Sequence, residues 1–402
     1  MKYIYILIIL FISFGFSHSQ VNGDFETGNT ILLKDYRKLL EGKRVGLITN
    51  KTGVDKNGVH ISELLIEKGI NVTKIFTPEH GFTADDKYGV LQKEIPVISL
   101  YSGDYSVKEK DVEDVDVLVF DIQDLGVRFY TYTSTLFLTM LDAKKLDKSY
   151  IVCDRPSVAN INYSDGFMLN SDFESFVGKV PVPVIYGLTV GELANYLNAI
   201  YVKNDDFHVI KMKNFTRETK FEEIVNFWIN PSPSINSIES ARLYPSSCFL
   251  EGTNISEGRG TPTPFQVFGA PFIDPEKLLN DLNNFNLPGL NFILTEFTPS
   301  QELLPTYSAM KYVNMSCFGI KMKITDINTY RPFETSVAVL ISLKRNSAEF
   351  KWTNKYYIDK LAGTDILRKM IDAEKSLDEI IERQKKDAEI FREKATLYKL
   401  YN

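Results

Sequence analysis

The sequence predicts an α/β protein built on a parallel sheet, and three observations carry that expectation. Short apolar runs alternate with helix-like stretches between residues 43 and 153, the pattern of βαβ units. The runs at 45–49, 72–76, 96–100, 117–120 and 150–153 are rich in β-branched and aromatic residues without strict alternation, as strands covered on both faces are. Each run also ends in polar residues, and right-handed crossovers would gather those ends on one rim of the sheet, where α/β proteins bind ligands.

Taken in order, 45–49 leads into Asn50, 72–76 into Thr77-Pro78-Glu79-His80-Gly81-Phe82, 96–100 into Tyr101-Ser102-Gly103-Asp104, 117–120 into Asp121, and 150–153 into Asp154-Arg155-Pro156. Residues 61–68 have helical spacing with Gly69 as the stop, and 133–145 form a second amphipathic helix. After a short apolar run at 182–185, Thr189-Val190-Gly191-Glu192 is a capping box opening a helix to about Tyr201, so Glu192 is read as a cap rather than an acid of the site. Pro231-Ser232-Pro233-Ser234 and the glycine-rich segment 251–261 mark a change of character, with loops whose backbone approaches something closely. Asp274-Pro275 caps and starts a helix to about Asn284. Strand-like runs return from Asn291, notably at 318–324 and 336–343. Ser376-Leu377-Asp378-Glu379 caps a last charged helix, whose apolar side (Ile380, Ile381, Gln384, Ala388, Phe391, Ala395, Tyr398) is expected to pack back on its own chain.

A length of 402 residues suggests two domains, and 44% hydrophobic with 24% charged residues is the composition of a soluble globular protein. A net charge of −6 argues against nucleic acid or anionic lipid as the main partner. Lys2, the apolar run 3–16 and Ser17-His18-Ser19 read as a secretory signal over residues 1–19, too short to span a bilayer comfortably, so an exported protein without stable membrane insertion is expected. Cys153, Cys248 and Cys317 sit among apolar residues and allow at most one disulfide. With His60, His80 and His208 widely separated, no metal site is expected.

Glu79 is the sharpest site candidate. A carboxyl group directly after a buried strand and beside an aromatic ring can stay protonated at neutral pH and act as a general acid, which suits glycoside cleavage; the alternative is that Glu79 caps a turn and His80 fills the core. Asp121 and Asp124 are a second acidic pair, since glycosidic hydrolysis generally uses two carboxyl groups. Alternatively Asp121 satisfies loop amides, Asp124 pairs with Arg128, and Asp154-Arg155 braces the rim. Arg128 and Arg259 are candidate anion receptors, although Glu257 beside Arg259 could neutralise it. Phe82, Tyr101, Tyr130 and Tyr132 offer flat faces to sugar rings. No Gly-x-Gly-x-x-Gly after a strand, Walker loop or Gly-x-Ser-x-Gly elbow is found, which weakens nucleotide, phosphate and serine-hydrolase readings.

The strings at 45–53, 78–82, 121–132 and 251–261, together with Leu361-Ala362-Gly363-Thr364-Asp365, resemble the exo-β-N-acetylmuramidase family of peptidoglycan hexosaminidases. The resemblance implies a Rossmann-like N-terminal domain (20–230), a smaller α/β C-terminal domain (231–402) and a cleft between them. It implies release of N-acetylmuramic acid from the non-reducing ends of peptidoglycan fragments without metal or organic cofactor, with Glu79 as catalytic acid. His80 would tune Glu79, Asp121 or Asp124 would assist, and Asn50, Phe82, Arg128, Tyr130, Tyr132, Glu251, Glu257 and Arg259 would bind substrate. A non-catalytic muropeptide- or glycan-binding protein, or a hydrolase of another cell-wall bond, are the alternative readings. The chain departs from the family pattern at Thr83-Ala84-Asp85-Asp86 and at Ser157-Val158.

Overall fold

The computed structural model describes residues 25–81, 95–305 and 309–402. The expected signal segment, Phe82 and the departure at 83–86 lie outside them. The strands are β1 (Arg44–Thr49), β2 (Asn71–Thr77), β3 (Val97–Ser99), β4 (Val117–Asp121), β5 (Ser149–Cys153), β6 (Asp165–Met168), β7 (Pro183–Ile185), β8 (Phe207–Ile210), β9 (Val267–Ala270), β10 (Leu290–Phe297) and β11 (Cys317–Ile324). Six of them form a sheet in the order β3-β2-β1-β4-β5-β8 in which every pairing is parallel.

Both faces of that sheet are covered, which is why its strands do not alternate apolar with polar. Val45, Leu47, Val117 and Val119 pack under the helices Gly28–Asp35 and Ile61–Glu67, while Ile48, Leu118 and Phe120 point into the larger core on the opposite face. Five of the six strands are those the sequence predicts. The sixth, β8, was not anticipated, since its four residues carry His208 among apolar neighbours and too little pattern to separate from a loop.

Around residue 231 the apolar core does not stop. Leu243, Phe249, Phe268, Ile320, Phe333 and Val337 belong to the same buried cluster as Phe120 and Leu136. A three-stranded antiparallel sheet, β10-β11-β9, carries the second half, with the helices Pro275–Asn283 and Pro332–Asn346. The latter helix corrects the strand expected at 336–343. Its residues 335–343 are all buried, so period 3.6 leaves no polar stripe to read, and Val337, Val339 and Ile341 imitate a buried strand. The informative residue is Pro332 at the first helical turn.

The two capping boxes form as expected, at Thr189/Glu192 and Ser376/Glu379. Beyond its cap, Glu192 is also ion-paired with Arg217 at 2.7 Å. The final helix, Leu377–Thr396, buries Ile380, Gln384, Ala388, Phe391 and Ala395, and the Gln384 side chain accepts from the Gly166 N–H of β6 at 3.0 Å. The chain then ends on the rim of the parallel sheet. The Tyr401 hydroxyl donates to Asp154 Oδ2 at 2.6 Å, and the Leu400 N–H donates to Glu192 Oε1 at 2.8 Å.

The three cysteines are free and buried. Among the described residues no helix is long and apolar enough to cross a membrane, and no cluster of three His, Cys, Asp or Glu could hold a metal.

Candidate active site

In a doubly wound sheet the crevice for ligands lies where strand order reverses, here between β1 and β4. In this protein side chains take up most of that crevice, leaving a recess of only about 30 Å³ beside Arg155. Arg155 Nη1 meets Asp121 Oδ1 at 2.5 Å, Asn29 Nδ2 donates to Asp121 Oδ2 at 2.8 Å, and Arg155 Nη2 donates to the Val54 carbonyl at 2.7 Å. The cavity, about 270 Å³, lies instead between the loops following β2 and β4 and the segments 232–235, 244–265 and 357–361 of the second half.

Glu79 reaches this cavity because β2 ends at Thr77 and the chain turns through Pro78-Glu79-His80-Gly81, closed by the Gly81 N–H donating to the Pro78 carbonyl at 3.1 Å. His80 holds φ at 69°, the left-handed region a turn of this kind needs at its third residue and a costly one for a side chain with a Cβ. Thr131 Oγ1 donates to Glu79 Oε2 at 2.7 Å. The Tyr132 hydroxyl donates to the Pro231 carbonyl, tying the loop after β4 to the second half. The Tyr101 hydroxyl lies beside the Glu79 carboxyl. Burial and that charge push its pKa up to about 12, so it keeps its proton across the neutral range. The His80 ring is shifted below the usual histidine value, mainly by desolvation, which the Glu79 charge opposes and Arg259 and Lys51 reinforce.

On the facing wall Arg259 Nη2 meets Glu251 Oε1 at 2.6 Å, Nη1 donates to Ser234 Oγ at 2.7 Å, and the guanidinium lies 4.8 Å above the Phe265 ring. Glu257 stands behind it, 3.2 Å from Arg259 Nε and 2.8 Å from Lys311 Nζ. Burial works against the Glu257 charge, but Lys311 and Arg259 outweigh it and hold the carboxyl below its usual range. The ammonium of Lys311 also donates to the carbonyls of Leu250 and Ile255, so Glu257 is locked into the loop rather than presented to the cavity.

Of the predicted site residues, Glu79, His80, Tyr130, Glu251 and Arg259 come together on the cavity wall, and Asn50, Asp121, Asp124, Arg128, Tyr132 and Glu257 do not. Asn50 Oδ1 is used by Thr52, accepting from its N–H at 2.9 Å and its hydroxyl at 2.6 Å. Asp121 is fully buried and pairs with Arg155, not with loop amides. Arg128 is fully buried too, and instead of an acid it meets carbonyls: Nη1 donates to Phe167 at 2.8 Å and Val182 at 2.7 Å, Nη2 to Leu361 at 3.2 Å. It therefore joins the two halves, and Gly363 (φ 71°) makes room, since a Cβ there would lie 2.5 Å from Nη2. Asp154 does not pair with Arg155 through its side chains; its carboxylate holds the N-terminus of the helix Val190–Leu197 through Thr189 Oγ1 and the Gly191 N–H, each at 2.8 Å.

Asp124 accepts from the Gly126 N–H at 2.7 Å and from the Tyr186 hydroxyl, while its Oδ1 has no hydrogen-bond partner among the described residues. Burial lifts its pKa to about 6 against the donors Tyr186, Gly126 N–H and Leu125 N–H. Because the folded chain binds this proton more tightly than the unfolded chain, Asp124 stabilises the fold most below pH 4 and loses that contribution as pH rises to about 6. Urea midpoints between pH 4 and pH 7 should show this fall, worth about 3 kcal/mol for two pKa units, and Asp124→Asn should remove that share while leaving the one from Asp154, which burial also lifts to about 6. An unchanged pH slope in the variant would show that the carboxyl titrates normally.

Sequence reasoning passed over Thr131, Ser234, Tyr244, Phe265 and Tyr357, all on the wall. Thr131 had a usable signal, since it lies between two tyrosines directly after the loop of β4.

Models of the family described as exo-beta-N-acetylmuramidase NamZ match residues 45–239 with its N-terminal part and residues 242–401 with its C-terminal part. The peptidoglycan beta-N-acetylmuramidase NamZ of Bacillus subtilis (strain 168) is 37% identical over 385 residues, covering 94% of this chain and 91% of that protein. Two crystal structures of DUF1343 family proteins from Bacteroides fragilis NCTC 9343, each 32% identical, superpose with TM-scores of 0.85 and 0.74 and cover 94% of this chain and 99% of theirs.

Proposed function

The chain belongs to the exo-beta-N-acetylmuramidase NamZ family, and from that premise we propose that it is a glycoside hydrolase releasing N-acetylmuramic acid from non-reducing ends of peptidoglycan fragments. The observation that carries the reading is Glu79, held by Thr131, on the wall of a cavity that Arg259 also lines. Glu79 gives its proton to the departing glycosidic oxygen. Glu251, the other carboxylate on the wall among the described residues, takes over the assisting role expected of Asp121 or Asp124. It acts on the attacking group, either water or the substrate's own acetamido oxygen. No cofactor is needed for this chemistry. Arg259, on the cavity wall, grips the lactyl carboxylate that distinguishes muramic acid from glucosamine. Export is part of the proposal and rests on Lys2, the apolar run and Ser17-His18-Ser19.

The test is release of nitrophenolate from a β-N-acetylmuramic acid glycoside by the wild-type protein; absence of release, with product analysis of digested cell wall showing a different bond cut, would overturn the reading. Arg259→Gln should lower kcat/KM for the muramic substrate by about 10- to 100-fold, the worth of a charge-assisted hydrogen bond, and change the glucosamine analogue much less. Equal losses on both would remove the carboxylate grip.

A further inference from the structure

Glu79 marks one boundary of the cavity, and next to it the surface carries an ordered aromatic group. The rings of Tyr105 and Phe176 stack at 3.8 Å between centroids with 15° between their planes. Tyr101 leans on both, at 5.5 Å and 5.6 Å, and is 46% exposed. The group is tied to the cavity at two points. Tyr101 follows β3 and brings its hydroxyl beside the Glu79 carboxyl. Phe176 precedes Val177, which lines the cavity, and its carbonyl accepts from Ser134 Oγ at 2.7 Å. Tyr101 thus offers solvent one face of a ring whose position two other rings hold.

We propose that Tyr101, braced by Tyr105 and Phe176, is the platform on which the leaving sugar stacks, an N-acetylhexosamine ring joined through its 4-oxygen to the residue in the cavity. This rests on the glycosidase reading above and adds a second sugar site to it. Two observations place the occupant. A cavity of about 270 Å³ backed by Tyr130, Tyr244 and Phe265 has room for a single N-acylated sugar ring, so the next ring must lie outside. The oxygen that receives the Glu79 proton belongs to that next ring, which therefore sits on the outer side of Glu79, where the open face of Tyr101 is. The axial C–H groups of a pyranose meet a flat ring by the same burial and dispersion that favour aromatic packing elsewhere.

The experiment compares Tyr101→Ala with Tyr101→Phe, both lacking the hydroxyl and differing only in the ring. The substrates are the disaccharide N-acetylmuramyl-β-1,4-N-acetylglucosamine and β-N-acetylmuramyl fluoride, whose leaving group is one atom. The expected result is a KM for the disaccharide about tenfold higher in Tyr101→Ala than in Tyr101→Phe, about 1.4 kcal/mol, with the fluoride unaffected by the choice of variant. Phe176→Ala, which withdraws the brace, should raise the disaccharide KM in the same selective way. Equal disaccharide KM values in the two Tyr101 variants, or the same rise on both substrates, would overturn the platform. Loss of the glycosidase reading itself would show differently, as a wild-type protein inert on both substrates.

Discussion

Glu79→Gln should lower kcat for hydrolysis of a β-N-acetylmuramic acid glycoside by about 10²- to 10⁴-fold, the usual worth of a positioned general acid. The amide keeps the shape of the carboxyl and can still accept from Thr131, whose hydroxyl donates at 2.7 Å, so folding and KM should change little. A general acid leaves a further mark: the deficit should shrink as the leaving group becomes more acidic, and nearly vanish with dinitrophenolate, which departs without a proton. Undiminished turnover in the variant, or a deficit independent of the leaving group, would take Glu79 out of the proton-transfer step.

Asp121→Asn should instead destabilise the fold by about 3–5 kcal/mol, because it leaves the Arg155 guanidinium buried without its counter-charge. The pair sits at 2.5 Å with both side chains almost wholly removed from water. Urea denaturation measures the loss, and turnover at a temperature where the variant is folded separates it from catalysis. There kcat should stay within about threefold of wild type, since neither side chain of the pair lines the cavity. A drop in kcat comparable to that of the Glu79 variant, with stability intact, would return Asp121 to the chemistry.

These two acids also show how far the sequence could be read. Both follow a buried strand and both are flanked by polar residues, so in one dimension they look alike. Polar breaks after apolar runs locate the rim of the sheet, and five strands, two capping boxes and the acid after β2 were legible from them. Which way each rim residue faces is decided by partners far along the chain: Asn29 and Arg155 for Asp121, the carbonyls of Phe167, Val182 and Leu361 for Arg128. Arg128 misled for a specific reason. A cation beside an aromatic run reads as a receptor for anions, and nothing local reveals that three carbonyls close around it. The helix Pro332–Asn346 was missed for the opposite reason, that complete burial erases the periodicity by which helices are recognised.

The carboxylates of Asp154 and Glu192 receive donors from residues 401 and 400, more than two hundred positions downstream. A contact so distant along the chain closes late, after much loop entropy has been spent, and until it forms the edge of the first sheet lacks its last donors. A fragment ending near residue 240 would therefore carry two under-satisfied buried acids and a severed apolar interior. Expressed alone, it should aggregate or stay molten; a soluble, cooperatively unfolding fragment would instead make the boundary at which the family models divide the chain that of an autonomous folding unit.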